Sequence, residues 1–302
     1  MQFIRSIVPA FVAAALAFLP SCGSEAEVSA DGSGDQPTLV FTAIPDQNST
    51  ELEQKFAPVA EYLSEQLGVP VKYLPTASYD ASVNSFKNGD VQLAWFGGLT
   101  GVQARKAVAG AQAIAQGKID PHFKSYFVAH VDAGIAPSDS FPMELKGKTF
   151  TFGSRRSTSG RLMPEYFIRE NTGQSPDDFF GQLSNFSGSH DKTATLVEAG
   201  TYQAGALNYA TYDKMVADGK LDPAKCIKIW TTPDYADYNW TAHPVLDQTY
   251  GSGFTQKLQT ALVNMKDAEL LAAVTRPDGL IPASNEDFAS IHKLAVDLGF
   301  LE

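Results

Sequence analysis

Three consecutive hydroxyl residues, Ser157, Thr158 and Ser159, precede Gly160 at the point where a helical pattern begins. The β-branched and aromatic run from Thr149 predicts a strand before them, so the order is strand, polar loop, helix. At a helix start the first N–H groups lack an acceptor within the helix, and the positive end of the helix dipole faces the same way. Hydroxyls and free N–H groups that face one point suit a tetrahedral oxyanion. The same residues would also form an ordinary N-cap.

Pro164 restricts how the helix after this loop begins, because a proline beyond the first turn removes a backbone hydrogen bond. Either the helix proper starts near Met163, or it starts at Ser159 and kinks. Three further predicted helix starts carry polar or aromatic residues, namely Ser78-Tyr79, Phe96-Gly97-Gly98 and Ser189-His190. If these starts converge on one cleft, their N–H groups could replace the hydration of an anion without a buried lysine.

Composition limits the class of protein and of partner. The 302 residues are 44% hydrophobic and 19% charged, which is typical of a globular chain long enough for two lobes. A formal net charge of -11 argues against a nucleic-acid partner, because phosphate-backbone binding needs clustered Lys and Arg. A small anion is still compatible with this charge, since salt screens exposed charges and local N–H groups can attract an anion.

The N-terminus has the pattern of an export signal over residues 1–22, with Arg5 before an apolar run and the ending Leu-Pro-Ser-Cys. This ending resembles a bacterial lipoprotein processing box, in which Cys22 would become the lipidated N-terminus; plain secretion with cleavage elsewhere is the alternative. Residues 23–36 are small, polar and acidic, which suits a flexible tether. The other cysteine, Cys226, is then expected in the core rather than in a disulfide.

From Thr38 onward, predicted strands alternate with helical patterns, which indicates layered α/β folding around largely parallel sheets. Thr50 with Glu53 has the spacing of a capping box for the first helix. A strand is predicted over residues 202–209, and two crossover strands over 124–131 and 227–231. These crossovers predict a discontinuous first lobe, 37–128 plus 232–302, and an inserted second lobe, 129–231. Two α/β lobes joined by two strands are the plan of a solute-binding protein that closes on its ligand.

Five segments together resemble the phosphate/phosphite/phosphonate-binding proteins of ABC importers, across essentially the whole mature chain. They are SYDASV at 78–83, VQLAWFGGL at 91–99, TFGSRRSTSGRLMP at 151–164, GSHDKT at 188–193 and DYNW at 237–240. The resemblance implies a two-lobed periplasmic-binding-protein fold of type II. It also implies an exported monomer without enzymatic activity or cofactor, which delivers an oxyanion to an ABC permease and its ATPase subunits. WFGGLTGVQAR and STSGRLMPEYF are similar to a branch named as selenate importers.

The resemblance also implies a set of ligand-binding residues. Phe96 stands where the family usually has a tyrosine, and Tyr209, with Asn208, stands where aminoalkylphosphonate binders place a glutamate. These two departures favour a compact inorganic or alkyl oxyanion over an aminophosphonate. The residues carried over by position are Tyr79, Phe96, Ser157, Thr158, Ser159, His190, Tyr209 and Asp237.

Two of these residues carry physical expectations of their own. A carboxylate at Asp237 beside a bound anion is favourable only if a proton lies between them, so it would select a protonated oxyanion over fully ionised sulfate or selenate. Alternatively, Asp237 caps a loop and faces water. The helix dipole would oppose protonation of His190 unless an anion lies opposite, so ligand binding should raise its pKa. Alternatively, His190 is a surface histidine beside Asp191.

Other classes of protein have weaker support. Ser189 and Lys192 fit the Ser-x-x-Lys pattern of an exported serine hydrolase, but its partner motifs and a Gly-x-Ser-x-Gly elbow are absent from the sequence. A sensory module that presents a bound oxyanion to a membrane receptor would have the same sequence features. The histidines lack the spacing of metal ligands, so no metal site is predicted.

Overall fold

The computed structural model describes residues 36–301. The predicted export signal, Cys22 and the tether up to residue 35 lie outside these residues. The strands in chain order are β1 (Leu39–Ala43), β2 (Val71–Tyr73), β3 (Leu93–Phe96), β4 (Gln112–Gly117), β5 (Ser125–His130), β6 (Phe150–Phe152), β7 (Asn185–Phe186), β8 (Ala204–Asn208), β9 (Cys226–Thr231), β10 (Asn239–Ala242) and β11 (Leu280–Pro282).

These strands form two sheets, each covered by helices. One has the order β11-β4-β10-β3-β1-β2, and the other has the order β7-β6-β8-β5-β9. The first sheet thus takes strands from both ends of the described chain, and the second takes only the strands between them. This two-sheet α/β architecture confirms the predicted fold class. The lobe boundaries at residues 128/129 and 231/232 remain a prediction.

Both sheets are mixed, so the expectation of largely parallel sheets was wrong. β1 pairs in parallel with β2 and β3, but β10 runs antiparallel to β3 and β4. In the second sheet β6 is parallel to β7 and β8, whereas β5 is antiparallel to β8 and β9. The reason lies in the connections, because β10 re-enters the first sheet after the chain has traversed the second. Periodicity in a sequence carries no record of strand direction.

The helices connect and cover the strands. Within residues 36–301 the α-helices are α1 (Ser49–Leu67), α2 (Tyr79–Asn88), α3 (Gly98–Ala107), α4 (Met163–Thr172), α5 (Pro176–Phe180), α6 (His190–Glu198), α7 (Tyr209–Ala217), α8 (Val245–Tyr250), α9 (Phe254–Val263), α10 (Ala268–Ala273) and α11 (Ala289–Asp297). In this part of the chain no helix combines the length and the apolar character needed to cross a membrane.

The start of α1 differs from its prediction. Asn48, and not Thr50, is the N-cap, and its side chain accepts hydrogen bonds from the N–H groups of Thr50 at 3.0 Å and Glu51 at 3.2 Å. The capping box was therefore wrong. Asparagine supplies the same acceptor as threonine at a helix start, so sequence alone leaves the choice between neighbouring caps undecided. Pro58 lies inside α1, which continues through it to Leu67.

The loop of three hydroxyl residues leads into a π-helical turn over Thr158–Leu162. Met163 N–H donates to the carbonyl of Thr158, and Leu162 N–H donates to that of Ser157, which gives the wider i to i−5 spacing. The α-helix proper, α4, begins at Met163, which confirms the first of the two predicted alternatives. Pro164 then falls in the first turn of α4, where a missing N–H costs nothing.

The core is rich in aromatic residues. In the first sheet Trp240 packs against Phe41 and Trp95, with ring centroids 5.8 and 5.3 Å apart. In the second sheet Phe127 packs against Trp230 at 5.3 Å. Cys226 is fully buried and free, as the sequence predicted.

Candidate functional site

Six of the eight predicted ligand-binding residues lie together and are almost completely buried. None of them exposes more than 2% of its surface. Tyr79 and His190 are the first residues of α2 and α6, the hydroxyl residues open the π turn, and Asp237 lies just before β10. The six residues are Tyr79, Ser157, Thr158, Ser159, His190 and Asp237. We call them the hydroxyl cluster.

One side of the hydroxyl cluster is closed by the start of α3. Gly98 N–H donates to Asp237 Oδ1 at 2.9 Å, and Leu99 N–H donates to Thr158 Oγ1 at 3.0 Å. A Cβ atom at Gly97 would lie 3.1 Å from Thr158 Oγ1 and 3.2 Å from Asp237 Oδ1, so glycine allows this close approach. These two N–H groups therefore donate to protein acceptors and are not available to an anion.

On the other side, Ser157 and His190 meet around Gly160. Ser157 Oγ accepts a hydrogen bond from Gly160 N–H at 2.9 Å. A Cβ atom at Gly160 would lie 2.9 Å from Ser157 Oγ and 3.0 Å from His190 Cε1, so only a glycine leaves room for the imidazole. The N–H groups of Thr158 and Ser159 belong to the first turn of this helical segment, where no carbonyl of the same turn is available to them.

His190 is held as a neutral hydrogen-bond donor. Its Nδ1 accepts from the backbone N–H of Asn208 at 3.3 Å, so in the neutral imidazole the proton lies on Nε2. Nε2 is buried and has no hydrogen-bond partner among residues 36–301. Burial lowers the pKa of His190 to about 3. The alternative of a surface histidine was wrong, because His190 is 0% exposed.

Asp237 and Tyr79 contribute two more buried polar atoms. Within the described residues neither Asp237 Oδ2 nor Tyr79 Oη has a hydrogen-bond partner. Burial raises the pKa of Asp237 to about 7, against the opposing effects of the Gly98 N–H and the Thr158 hydroxyl. Burial and the nearby Asp46 raise the pKa of Tyr79, so its hydroxyl stays protonated. Asp237 is 1% exposed, so the alternative that it faces water was wrong.

The two remaining predicted residues contact the aromatic core instead of the hydroxyl cluster. Phe96 ends β3, is fully buried, and its ring packs edge-on against Phe86 with centroids 5.7 Å apart. Tyr209 begins α7, is half-buried, and its ring packs against Phe123 at 4.9 Å and Tyr126 at 6.0 Å. A role for these two in ligand binding therefore stays a prediction without a contact to support it.

Asp46 and Tyr238 border the cluster and were not predicted. The Asp46 carbonyl accepts from the backbone N–H of His190 at 2.9 Å, and its Oδ2 accepts from Tyr238 Oη at 2.8 Å. Burial raises the pKa of Asp46 to about 6, opposed by the hydrogen bond from Tyr238. Asp46 follows β1, and polar residues at the carboxyl ends of parallel strands commonly face a ligand. That rule could have found Asp46.

A buried ion pair supports the backbone of Asp237. Arg276 Nη2 donates to Asp120 Oδ1 at 2.6 Å, and the guanidinium lies 4.7 Å from the ring centroid of Tyr238 and 5.3 Å from that of Trp95. The Asp120 carbonyl accepts from Asp237 N–H at 3.1 Å. The pair thereby holds the segment that carries Asp237. Its partners are 156 residues apart, and no sequence pattern connects them.

The hydroxyl cluster combines several neutral donors with a single carboxyl group. Tyr79 Oη, His190 Nε2 and the first-turn N–H groups of the π turn can donate, and Asp237 Oδ2 can accept. This set suits a tetrahedral oxyanion that carries one proton.

In the Ser-x-x-Lys pattern, Ser189 Oγ donates to Asp191 Oδ1, whereas Lys192 is exposed. Between residues 36 and 301 no group of three His, Cys, Asp or Glu side chains could hold a metal ion.

Comparison with known proteins gives a consistent result. The family model described as "ABC transporter, phosphonate, periplasmic substrate-binding protein" matches residues 41–288. A probable ABC transporter phosphite binding protein, PhnD1 of Prochlorococcus marinus (strain MIT 9301), is 42% identical over 229 residues, which are 75% of this chain and 77% of the relative. The phosphate-import protein PhnD of Mycolicibacterium smegmatis is 28% identical over 83% of this chain and 79% of the relative.

A solved structure has the same fold. The structure of PhnD1 from Prochlorococcus marinus (MIT 9301) in complex with methylphosphonate superposes with a TM-score of 0.81 at 37% identity. The match covers 87% of this chain and 98% of the solved chain.

Proposed function

Since this chain belongs to the family of phosphonate-type periplasmic substrate-binding proteins of ABC transporters, we propose that it captures a small oxyanion of the phosphite or alkylphosphonate class in the hydroxyl cluster. The family consists of binding proteins and not of enzymes, so the serine-hydrolase alternative is overturned. The proposed mechanism is capture between two closing lobes and delivery to the permease.

One observation carries the choice of ligand class. Asp237 Oδ2 is buried beside neutral donors and has no hydrogen-bond partner within the described residues. An ionised Asp237 would accept a hydrogen bond from a protonated oxygen of the ligand, and the monoanions of phosphite and alkylphosphonates, which are present up to about neutral pH, carry such an oxygen. The N–H groups and hydroxyls would bind the remaining ligand oxygens. A fully ionised oxyanion would instead place negative charge against the carboxylate.

The hydrogen bonds of Asn208 disfavour an aminoalkylphosphonate as the ligand. Its Oδ1 accepts from Thr211 N–H at 2.6 Å, and its Nδ2 donates to Tyr238 Oη at 3.0 Å. Both ends of the amide are therefore engaged, and Asn208 has no free acceptor that faces an ammonium group. This agrees with the expectation drawn from the glutamate that the family's aminoalkyl binders have here.

Selenate remains the second candidate ligand, because selenate and phosphite are both tetrahedral. Selenate and sulfate lack a proton near neutral pH, so they would require Asp237 in its neutral form. Since burial raises the pKa of Asp237 to about 7, their binding should weaken as the pH rises above 7. A monoprotonated phosphorus oxyanion supplies the shared proton itself.

Calorimetry with six ligands at pH 6 and pH 8 tests the proposal. The ligands are phosphite, methylphosphonate, 2-aminoethylphosphonate, phosphate, sulfate and selenate. We expect tight binding of phosphite or methylphosphonate at pH 6, weaker binding at pH 8 where more of the free ligand has lost its second proton, and rejection of 2-aminoethylphosphonate at both pH values. Tight selenate binding at pH 8 with phosphite rejected would remove Asp237 from the ligand site and move the protein to the selenate branch.

Two substitutions test the location of the site. Ser157→Ala and His190→Ala should each weaken binding by about 1–3 kcal/mol, the scale of a buried donor lost to a charged partner. The matched controls are Ser252→Ala and His292→Ala, because both residues are exposed. Unchanged affinity in both cluster variants would refute the site assignment.

We also propose that Cys22 is lipidated and that residues 23–36 tether the binding domain to the outer face of a membrane. The domain would work as a monomer, with its first lobe at 37–128 plus 232–302 and its second at 129–231, opposite an ABC permease and its ATPase subunits. The sequence features of residues 1–22 support the anchor. Replacing Cys22 by Ala should release the mature protein from the membrane fraction; retention there would contradict lipidation.

A further inference from the structure

His190 of the hydroxyl cluster and three buried residues beside the cluster, Asp46, Asn208 and Tyr238, close a ring of hydrogen bonds. His190 N–H donates to the Asp46 carbonyl at 2.9 Å, and Asn208 N–H donates to His190 Nδ1 at 3.3 Å. Asn208 Nδ2 donates to Tyr238 Oη at 3.0 Å, and Tyr238 Oη donates to Asp46 Oδ2 at 2.8 Å. None of the four residues is more than 7% exposed. We call this set the four-residue ring.

The direction of every bond in the ring is determined by its neighbours. Asn208 Oδ1 caps α7 by accepting from Thr211 N–H, so the amide must turn Nδ2 toward Tyr238. The Tyr238 hydroxyl accepts that bond and gives its own proton to Asp46. The Asn208 backbone can only donate, so His190 Nδ1 must accept and Nε2 carries the proton. A ring with determined directions has a single arrangement, and Nε2–H is its donor into the hydroxyl cluster.

The ring joins the two sheets. Asp46 follows β1 and Tyr238 precedes β10, both in the six-stranded sheet, whereas Asn208 ends β8 of the five-stranded sheet and His190 begins α6, which packs on β8. Two of the four bonds therefore cross from one half of the molecule to the other. The other two lie within one half each and orient the groups that cross.

The Leu99 N–H to Thr158 Oγ1 bond between the halves is also buried, whereas two ion pairs between them lie in more exposed surroundings. Arg156 Nε pairs with Asp80 Oδ1 at 2.8 Å, with side-chain exposures of 40% and 59%. Lys220 Nζ pairs with Glu51 Oε1 at 2.9 Å, with exposures of 53% and 44%. Exposed ion pairs contribute little to stability because water screens them. The ring is shielded from water and ends on a carboxylate, which is the stronger kind of hydrogen bond.

We propose that the four-residue ring is a closure latch that also positions His190 for the ligand. The latch stabilises the closed arrangement of the two halves, and the same bonds turn His190 so that Nε2–H points at the bound oxyanion. Asp46, Asn208 and Tyr238 act as positioning residues and need no contact with the ligand. The positioning role rests on the proposed ligand site, whereas the latching role does not.

Tyr238→Phe is the test variant. It removes the hydroxyl that links Asn208 to Asp46 in the four-residue ring, and it keeps the aromatic side chain that stacks on Trp95. Tyr212→Phe is the matched control, since Tyr212 is also buried and its hydroxyl donates to the Cys226 carbonyl away from the site. Asp46→Asn keeps an oxygen that can accept from Tyr238, whereas Asp46→Ala does not. Thermal melts of all four variants establish that each is folded and show the loss of stability common to a buried bond.

Two measurements then decide the proposal. Without ligand, small-angle X-ray scattering should give a larger radius of gyration for Tyr238→Phe and Asp46→Ala than for wild type, Tyr212→Phe and Asp46→Asn. For phosphite, Tyr238→Phe and Asp46→Ala should have a dissociation constant about tenfold higher, because the binding-competent closed form is less populated. The release rate should rise by the same factor, and Tyr212→Phe and Asp46→Asn should bind like wild type.

The two measurements separate failure of the latch from failure of the proposed function. If wild type binds none of the six oxyanions, the ligand site is refuted, and scattering without ligand still decides the latch. Equal radii of gyration across the five proteins would overturn the latching role. If Tyr238→Phe loses stability like Tyr212→Phe and binds phosphite like wild type, its positioning role is overturned and the hydroxyl is merely structural.

Discussion

Replacing Asp237 by Asn should remove a large part of the decline in the stability of the ligand-free protein between about pH 4 and pH 7, to which the buried Asp46 also contributes. Asp237 Oδ1 accepts from Gly98 N–H at 2.9 Å, and the asparagine oxygen can keep this bond. Burial moves the pKa of Asp237 from 3.8 to about 7 in the folded protein. Between these values the folded carboxyl keeps its proton, whereas the unfolded chain has lost it.

The sign and size of the effect follow from this difference. Because the folded state binds the extra proton across this window, the free energy of unfolding falls by about 1.4 kcal/mol per pH unit as the pH rises. A pKa of about 7 against 3.8 gives a total of about 4 kcal/mol, an order-of-magnitude figure. Above pH 7 both states are ionised and the loss stays constant. Asparagine has no such titration.

Urea unfolding at pH 4.5, 6.0 and 7.5, in buffers without phosphate or sulfate, measures this effect. The difference in unfolding free energy between Asp237→Asn and wild type should grow in favour of the variant by several kcal/mol across the series. Asp139→Asn is the control, since Asp139 is exposed. Parallel pH profiles for Asp237→Asn and wild type would refute the claim that an uncompensated carboxyl is buried in the ligand-free site.

Two further substitutions test the packing around the site. Gly160→Ala should weaken phosphite binding at least tenfold in calorimetry, because the new methyl would lie 2.9 Å from Ser157 Oγ and 3.0 Å from His190 Cε1; wild-type affinity would show that the loop yields without cost. Asp120→Asn should lower the free energy of unfolding by about 3–5 kcal/mol in urea, since it leaves the Arg276 charge buried and unpaired. Adding Arg276→Met should restore part of this loss, and a further loss in the double variant would contradict the ion-pair explanation.

The parts of the site that sequence predicted are those with local signals. Hydroxyl residues at a helix start indicate a candidate oxyanion site through three adjacent residues and the helix they open, so Ser157, Thr158 and Ser159 could be proposed without a structure. His190 and Tyr79 lie at helix starts that sequence also located. The family resemblance supplied Asp237, which has no local signal of its own.

The parts that sequence missed depend on distant partners. Asp46 and Tyr238 are 192 residues apart, and only the antiparallel return of β10 beside β3 brings them together. The strand predicted over 202–209 ends at Asn208, and α7 begins at Tyr209. A short apolar run does not reveal where a strand ends and a helix begins. Here the N-cap Asn208 is held by a hydrogen bond to the distant Tyr238 as well as by the N–H of Thr211 in α7.

The near-complete burial of the hydroxyl cluster affects which substitutions can change ligand residence time and which can change ligand preference. With no cluster residue more than 2% exposed, a ligand bound in the proposed site would leave only when the halves separate, so the contacts between the halves would set its residence time. Which ligand is chosen depends instead on the donors and on Asp237. Substitutions at Arg156, Asp80, Lys220 or Glu51 should therefore change residence only slightly, because water screens these exposed ion pairs, and they should leave chemical preference unchanged. In the proposed site, His190 and Thr158 would contribute to both selectivity and ligand lifetime, because each also bonds across the two halves.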